Sequence, residues 1–561
     1  MVNNFCRLLS KFSIVFIGII ITLPILFGFL GFFLQSFNYL PTLGKGELSL
    51  NYFYLSMKIP GIYKSILLSI FTGLVSTALA LFFSQVILLY FFKTKFYNYL
   101  KIIISPLIAL PHITMAIGLI FLLSPSGLLL RSVSPWLTGF DRPPNSYLFP
   151  DEYGFILILG LMLKEIPFLI LVSLSALREF SSSKFFDMGR SLQHSSFSTW
   201  FILIFPIIYK KIRLVIFIII AFSSSVVDMS LLLAPSTPST LSVRILQIFQ
   251  SSDMDSFFIA SNLSLIQLFI IIILLIVWIF FEKIIKLKCF YIFFIKITSF
   301  KSEFLKITIL CFNIILFLLS FMGIICSILW GFSENWYFPN FFPNDLNIEN
   351  FLNFYYQNKS LILISIFIPL MVSLLSISLI ILWVELLDYL NITKTQFEWI
   401  IFTPLFIPQI SFLIGIQSFM IFFNFSSFLI PLIFVQLFYV IPYCFIILAP
   451  AMREVKSDYI KVASSLGKNR IVRLFKIKIP LVLPSLMTSF AIGMIVSFAL
   501  YVPVYFIGAG RVTTLTVEAL NLALSGSKQD LGIATFFQIL FPTLLLFTIA
   551  FINRKTIKWQ I

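Results

Sequence analysis

Charge is scarce in this 561-residue sequence: Asp, Glu, Lys and Arg together make up 11% of it. A water-soluble domain carries about 25% charged residues, and no long stretch here is polar enough to fold as one. Histidine is scarcer still. The two present, His112 and His194, stand far apart and speak against an imidazole-built metal site. The five cysteines (Cys6, Cys289, Cys311, Cys326 and Cys444) form no C-x-x-C pair, and four lie in or beside apolar runs. Thiols in such places are small core residues rather than ligands or disulfides. The phosphate-binding G-x4-G-K-[ST] is missing too, since Gly467-Lys468 is followed by Asn469 and Val462 occupies the place of the first glycine. Neither H-E-x-x-H, a nucleophile elbow nor clustered carboxylates occur. The reading is a protein that is not an enzyme and needs no cofactor and no metal.

What fills the chain is apolar. Hydrophobic residues make up 60% of it, 70 of them Phe, in runs long enough to cross a bilayer as helices. About twelve such spans are expected, near 12–34, 62–92, 100–123, 154–176, 203–223, 262–282, 305–331, 360–387, 399–423, 426–449, 481–506 and 532–552, giving an all-α polytopic membrane protein in contact with lipid. The run at 12–34 exceeds a signal-peptide core and precedes no A-x-A site, so it reads as a retained first span. The net charge of +17 does not mark nucleic acid. Most cations sit between spans, in 1–11, 93–101, 177–202, 283–304, 388–398, 451–480 and 553–561, as the positive-inside tendency requires of cytoplasmic segments. Both termini are therefore expected in the cytoplasm. The intervening outer segments, 124–153, 228–261 and 332–359, hold few cations and are too short for a receptor domain.

The chain also repeats itself. Ile166-Pro167-Phe168 leads to Ala176-Leu177-Arg178-Glu179-Phe180, and Ile441-Pro442-Tyr443 leads to Ala451-Met452-Arg453-Glu454-Val455. Thr240-Leu241-Ser242-Val243 matches Thr514-Leu515-Thr516-Val517. Leu110-Pro111-His112-Ile113-Thr114 with Gly118 matches Ile407-Pro408-Gln409-Ile410-Ser411 with Gly415. Blocks repeated in the same order indicate a duplication, with halves at 1–295 and 296–561. Parallel halves of six spans imply a pseudo-two-fold axis along the membrane normal.

One cytoplasmic stretch in each half stands out. From Val455, apolar residues recur at helical spacing through Tyr459, Val462, Ala463 and Leu466, with Lys456, Asp458 and Lys461 on the other face. Gly467 then stands where a helix end favours a left-handed residue, and a second helix is expected to begin before Pro480. The register is Lys461-Val462-Ala463, three residues, Gly467, nine residues, Ile477-Lys478-Ile479-Pro480. In the first half it is Asp187-Met188-Gly189, three residues, Gln193, nine residues, Leu203-Ile204-Phe205-Pro206. This resembles the signature loop, E-A-A-x3-G-x9-I-x-L-P, of binding-protein-dependent ABC importer permeases. The fusion of two halves in one chain looks most like the iron(III) and thiamine double permeases. The resemblance implies a pore-forming permease of the bacterial inner membrane, two copies of a cytoplasmic ATPase docked on the loops, and an extracytoplasmic solute-binding protein delivering cargo. Two departures are plain: Lys461 replaces the acidic residue in the second loop, and Gln193 replaces glycine in the first.

Lys164 and Glu165 fall within the fourth span. Ionisable groups at that depth face a cavity or each other; the readings are a translocation path or gating site, or else an internal pair, snorkelling or a misplaced span boundary. Glu385 near the end of the eighth span and Asp228 just past the fifth are expected at the membrane interface. Pro106, Pro111, Pro404 and Pro408 sit in matching spans, where broken helices either line a cavity or kink for packing. An alternative architecture with twelve spans in two parallel halves is an ion-gradient-driven secondary transporter of major-facilitator type. Its usual G-x3-D-R-x-G-R loop would lie at 93–101, which contains no Gly, Asp or Arg.

Overall fold

The computed structural model describes residues 18–19, 22–41, 44–92, 94, 104–145, 151–178, 182–191, 194, 196–251, 253–294, 303–390, 392, 396–423 and 427–560. Among them there is no β-strand, only two isolated bridges. Among the described residues nine helices are long and apolar enough to cross a membrane, ten if the bent pair Glu398–Leu405 and Gln409–Met420 is one span. The protein is an all-α polytopic membrane protein.

Two expected spans, 12–34 and 203–223, together with the bent pair account for the difference from twelve, and the boundaries of others shift. The helix over Phe205–Ser225 carries Lys210, Lys211 and Arg213 in its first half, and three cations make it too polar to qualify by composition. Of the first expected run, 12–34, the described helix covers Thr22–Ser36, and residues 12–17, 20 and 21 lie outside the described residues. The expected span at 481–506 ends at Ala499, and Val502–Gly508 forms a separate short helix. Pro480 lies within the helical path that begins at Arg470. It sits in the first turn of Ile479–Ala499, where its missing N–H costs nothing. A π-turn at Leu474–Lys478 feeds the chain into it, as one at Trp200–Ile204 feeds Phe205–Ser225.

The helices used below are α1 (Thr22–Ser36), α2 (Ile62–Phe91), α3 (His112–Leu123), α4 (Phe155–Arg178), α5 (Ser182–Ser191), α6 (Phe205–Ser225), α7 (Met254–Phe294), α8 (Glu303–Phe332), α9 (Lys359–Tyr389), α10 (Gln409–Phe422), α11 (Leu429–Arg453), α12 (Ser457–Ser465), α13 (Ile479–Ala499) and α14 (Lys528–Gln560). Helices α2, α4 and α6 pack as a trio, and α9, α11 and α13 make a second trio. Each is pinned alike. Ser69 Oγ of α2 accepts the Leu241 N–H at 2.9 Å, and Ser365 Oγ of α9 accepts the Leu515 N–H at 2.8 Å.

The leading helices cross over. Helix α8 packs against α3 and α14, while α1 lies against α10, with Phe27 stacked on Phe419 at 4.4 Å. Both crossings are made at glycines. A side chain on Gly118 would meet the Gly323 backbone at 3.0 Å, and one on Gly415 would strike the Gly28 backbone. Without a strong hydrophobic force between helices in lipid, such close approach supplies the van der Waals contact that holds them. Polar links flank the crossings: Thr114 Oγ1 of α3 donates to Gln538 Oε1 of α14 at 2.6 Å, Gln35 Nε2 of α1 donates to Ser418 Oγ of α10, and Ser261 Oγ of α7 donates to Gln35 Oε1 at 3.0 Å. At one end of the bundle, buried Arg131 donates to the carbonyls of Ser126 (2.8 Å), Trp336 (3.1 Å), Tyr337 (2.8 Å) and Asn340 (2.8 Å), joining the 126–131 segment to the 336–340 loop.

Candidate functional site

The second loop is built from the residues that the pattern singled out. Asp458 in the first turn of α12 complements the positive end of the helix dipole. At the other end, the Leu466, Gly467 and Lys468 N–H groups turn back onto the carbonyls of Val462 (3.1 Å), Ser464 (3.0 Å) and Ala463 (3.1 Å). That closure needs the left-handed backbone of Gly467, whose φ is +70°. Asn469 then caps the next turn, its Oδ1 accepting the Val472 N–H at 2.9 Å.

The apolar residues divide by position. Ala463 is buried, whereas Tyr459, Val462 and Leu466 are 53%, 59% and 69% exposed. A row of large apolar side chains on one helical face, uncovered by this chain, is a surface suited to a groove. Lys461 pairs with Asp458 at 3.8 Å, and both side chains are largely in solvent, so the pair contributes little. Ile477 is half-buried and Pro480 exposed.

The first loop repeats this exposure pattern position by position. Asp187 is exposed like Lys461, Met188 is exposed like Val462, Gly189 is buried like Ala463, and Pro206 is exposed like Pro480. Gly189 lies so close to Thr199 that a side chain would collide with it. Gln193 lies outside the described residues.

Each loop meets the bundle differently. Below α2, Phe92 stacks on Phe186 at 4.9 Å and meets Trp200 edge-on at 5.7 Å. Below α9, the buried Lys478 ammonium donates to Glu385 and to Asp388 at 2.5 Å, and Arg470 pairs with Glu385 at 3.6 Å. Sequence reasoning placed Glu385 at the membrane interface and overlooked Lys478. The sequence-level signal was its position inside Ile477-Lys478-Ile479-Pro480, where an apolar helix entry has no reason to hold a cation unless anions face it.

The pair in α4 does not stay a pair. Lys164 turns its ammonium to three backbone carbonyls, of Leu107 (3.1 Å), Ile108 (2.9 Å) and Leu110, and so caps the chain break before Pro111. Glu165, 6% exposed, turns instead to His112, with Nε2 and Oε1 4.0 Å apart, and among the described residues it accepts no hydrogen bond. Asp228, expected at the interface, is buried, with Oδ1 accepting the Met229 N–H at 2.9 Å. His112 was discounted as a ligand because the other histidine is distant. Among the described residues no group of three His, Cys, Asp or Glu is placed to hold a metal ion.

Residues 357–557 match the family described as binding-protein-dependent transport system inner membrane component. The chain is similar to the inner membrane ABC transporter permease protein YnjC of Escherichia coli (strain K12), with 24% identity over 457 residues, covering 81% of this chain and 80% of the relative. No solved structure matches the chain.

Proposed function

We propose that this chain is the permease subunit of a binding-protein-dependent ABC importer, a pore in the bacterial inner membrane that a separate ATPase drives. The observation that carries the reading is the exposed apolar row Tyr459, Val462 and Leu466 on a short helix between two spans, inside the region that matches the permease family. A row of this kind costs solubility unless a partner covers it, and a helix in a groove transmits push and pull to the span behind it.

Two halves, 1–295 and 296–561, fit the doubled features: matching trios, the same serine-to-amide bond at Ser69 and Ser365, and glycine crossings on both sides. On this reading one ATPase copy docks on Asp187, Met188 and Gly189 and a second on Lys461, Val462 and Ala463. Both termini are cytoplasmic, and a solute-binding protein delivers cargo from outside. The fused form resembles the iron(III) and thiamine double permeases. Glu165, backed by His112, lines the path of the cargo, and Lys164 supports it from behind.

The test is reconstitution of the whole chain in lipid with its cognate ATPase. Alone the chain should hydrolyse no ATP; the ATPase should co-purify with it and drive uptake. Gly467→Val forces a β-branched residue into positive φ and re-aims α12. It should leave the chain folded, since nothing lies within 4 Å of that position, yet lower uptake by about tenfold, the equivalent of 1.4 kcal/mol of docking energy. Uptake sustained by an ion gradient without the ATPase would refute the proposal.

A further inference from the structure

The repeat register sets the two loop junctions side by side. Phe92, at the foot of α2, has Asp388 as its counterpart at the foot of α9, in the register fixed by Ser69 and Ser365. The loop register pairs Phe186 with Ile460, Trp200 with Leu474 and Ile204 with Lys478. So the place filled in one half by three interlocked rings is filled in the other by an ammonium between two carboxylates. The smaller Ile460 and Leu474 line a cleft of about 250 Å³ with Asp388 and Lys478.

We infer that the two loops are fastened to the bundle by different forces, aromatic packing at the first and a buried ion cluster at the second, with Lys478 the positioning residue of the second loop. The inference rests on the permease reading for its consequence in transport, but the fastening is a property of this chain alone. Lys478 is 4% exposed, and its side chain is the shared partner of Glu385 and Asp388. Arg470 closes the cluster from the loop side, pairing with Glu385 and lying over the Tyr389 ring at 4.6 Å. Charge-assisted bonds of this kind hold one geometry, so the π-turn at Leu474–Lys478 is tied to the last turns of α9. The rings at the first junction bury apolar area and have no directional demand of that strength. Deleting one member of a buried ion cluster leaves the others uncompensated, whereas replacing the whole set by packed apolar residues is tolerated.

Spin labels on cysteines replacing Val462 and, separately, Met188, in a chain otherwise without cysteine and held in lipid nanodiscs, report the hold on each loop. Lys478→Met should raise the mobile fraction at 462 by about threefold and leave that at 188 unchanged. Lys478→Arg, which keeps the charge, should largely preserve the hold. Grafting the first junction onto the second with Glu385→Leu, Asp388→Phe, Ile460→Phe, Leu474→Trp and Lys478→Ile, Leu89 being the first-half counterpart of Glu385, should restore the parent mobility at 462. An unchanged 462 label in Lys478→Met overturns the inference; so does equal loosening of both labels, or a graft as loose as the single variant. Should Lys478→Met not fold, Asp388→Asn takes its place, since that carboxylate is 43% exposed; no loosening at 462 would then count against the inference. Because no ATPase enters this measurement, its failure leaves the permease reading standing. A correct label pattern with no ATPase partner would sink that reading alone.

Discussion

Lys164→Met is expected to destabilise the folded chain by about 3–5 kcal/mol, the cost of stripping a buried, hydrogen-bonded charge from its partners. Three carbonyls, of Leu107, Ile108 and Leu110, face that ammonium. They are the open end of a helical turn interrupted before Pro111, and inside a bilayer no water is at hand to replace the lost donor. Unfolding in mild detergent, followed by circular dichroism, measures the loss; a change below about 1 kcal/mol would show that the carbonyls find other donors. Glu165→Gln is the informative contrast. Glu165 accepts no hydrogen bond among the described residues, so neutralising it should not lower stability, while uptake should fall if the carboxylate lines the path. Two adjacent charges would thus separate into one that holds the fold and one that serves transport.

Gly415→Val should be about as damaging, at about 3 kcal/mol, because the added atoms meet main chain. A Cβ there strikes the Gly28 backbone and comes within 3.0 Å of the Phe32 nitrogen, and backbone cannot rotate aside as a side chain can. Helices α1 and α10 must part, losing the Phe27–Phe419 stack with them. Gly118→Val should reproduce the defect at the Gly323 crossing. Gly46→Val, at a position with nothing within 4 Å, should be neutral. Folded yield and unfolding midpoint of the three variants test this, and equal values for Gly415→Val and Gly46→Val would contradict it.

Much of the architecture could be read from hydrophobic length alone, because a bilayer imposes one solution on long apolar runs. The loop residues were legible for a related reason: an amphipathic stripe and a glycine that ends it are local features, and Tyr459, Val462, Leu466 and Gly467 lie as their spacing predicted. Partners far apart in sequence were not. Lys164 looked like half of a pair with Glu165, but neighbours on a helix project apart, and its real partners are carbonyls that carry no side-chain signature. The cation at Lys478 could be found in the sequence, though the anions explaining it, Glu385 and Asp388, come from α9, 93 and 90 residues earlier. Helix ends were misjudged where a π-turn absorbs a residue, since hydropathy does not register how a turn is wound.

The glycine crossings bear on the order in which the molecule is made. Residues of α1 leave the ribosome early, yet the surface of α10 that receives Gly28 and Phe27 is synthesised only after most of the remaining helices. The opening segment therefore waits in the bilayer without its seat, and its docking must follow insertion of α10. A nick between α7 and α8 would leave two fragments clasped to each other, since each has already lent its first helix to its neighbour.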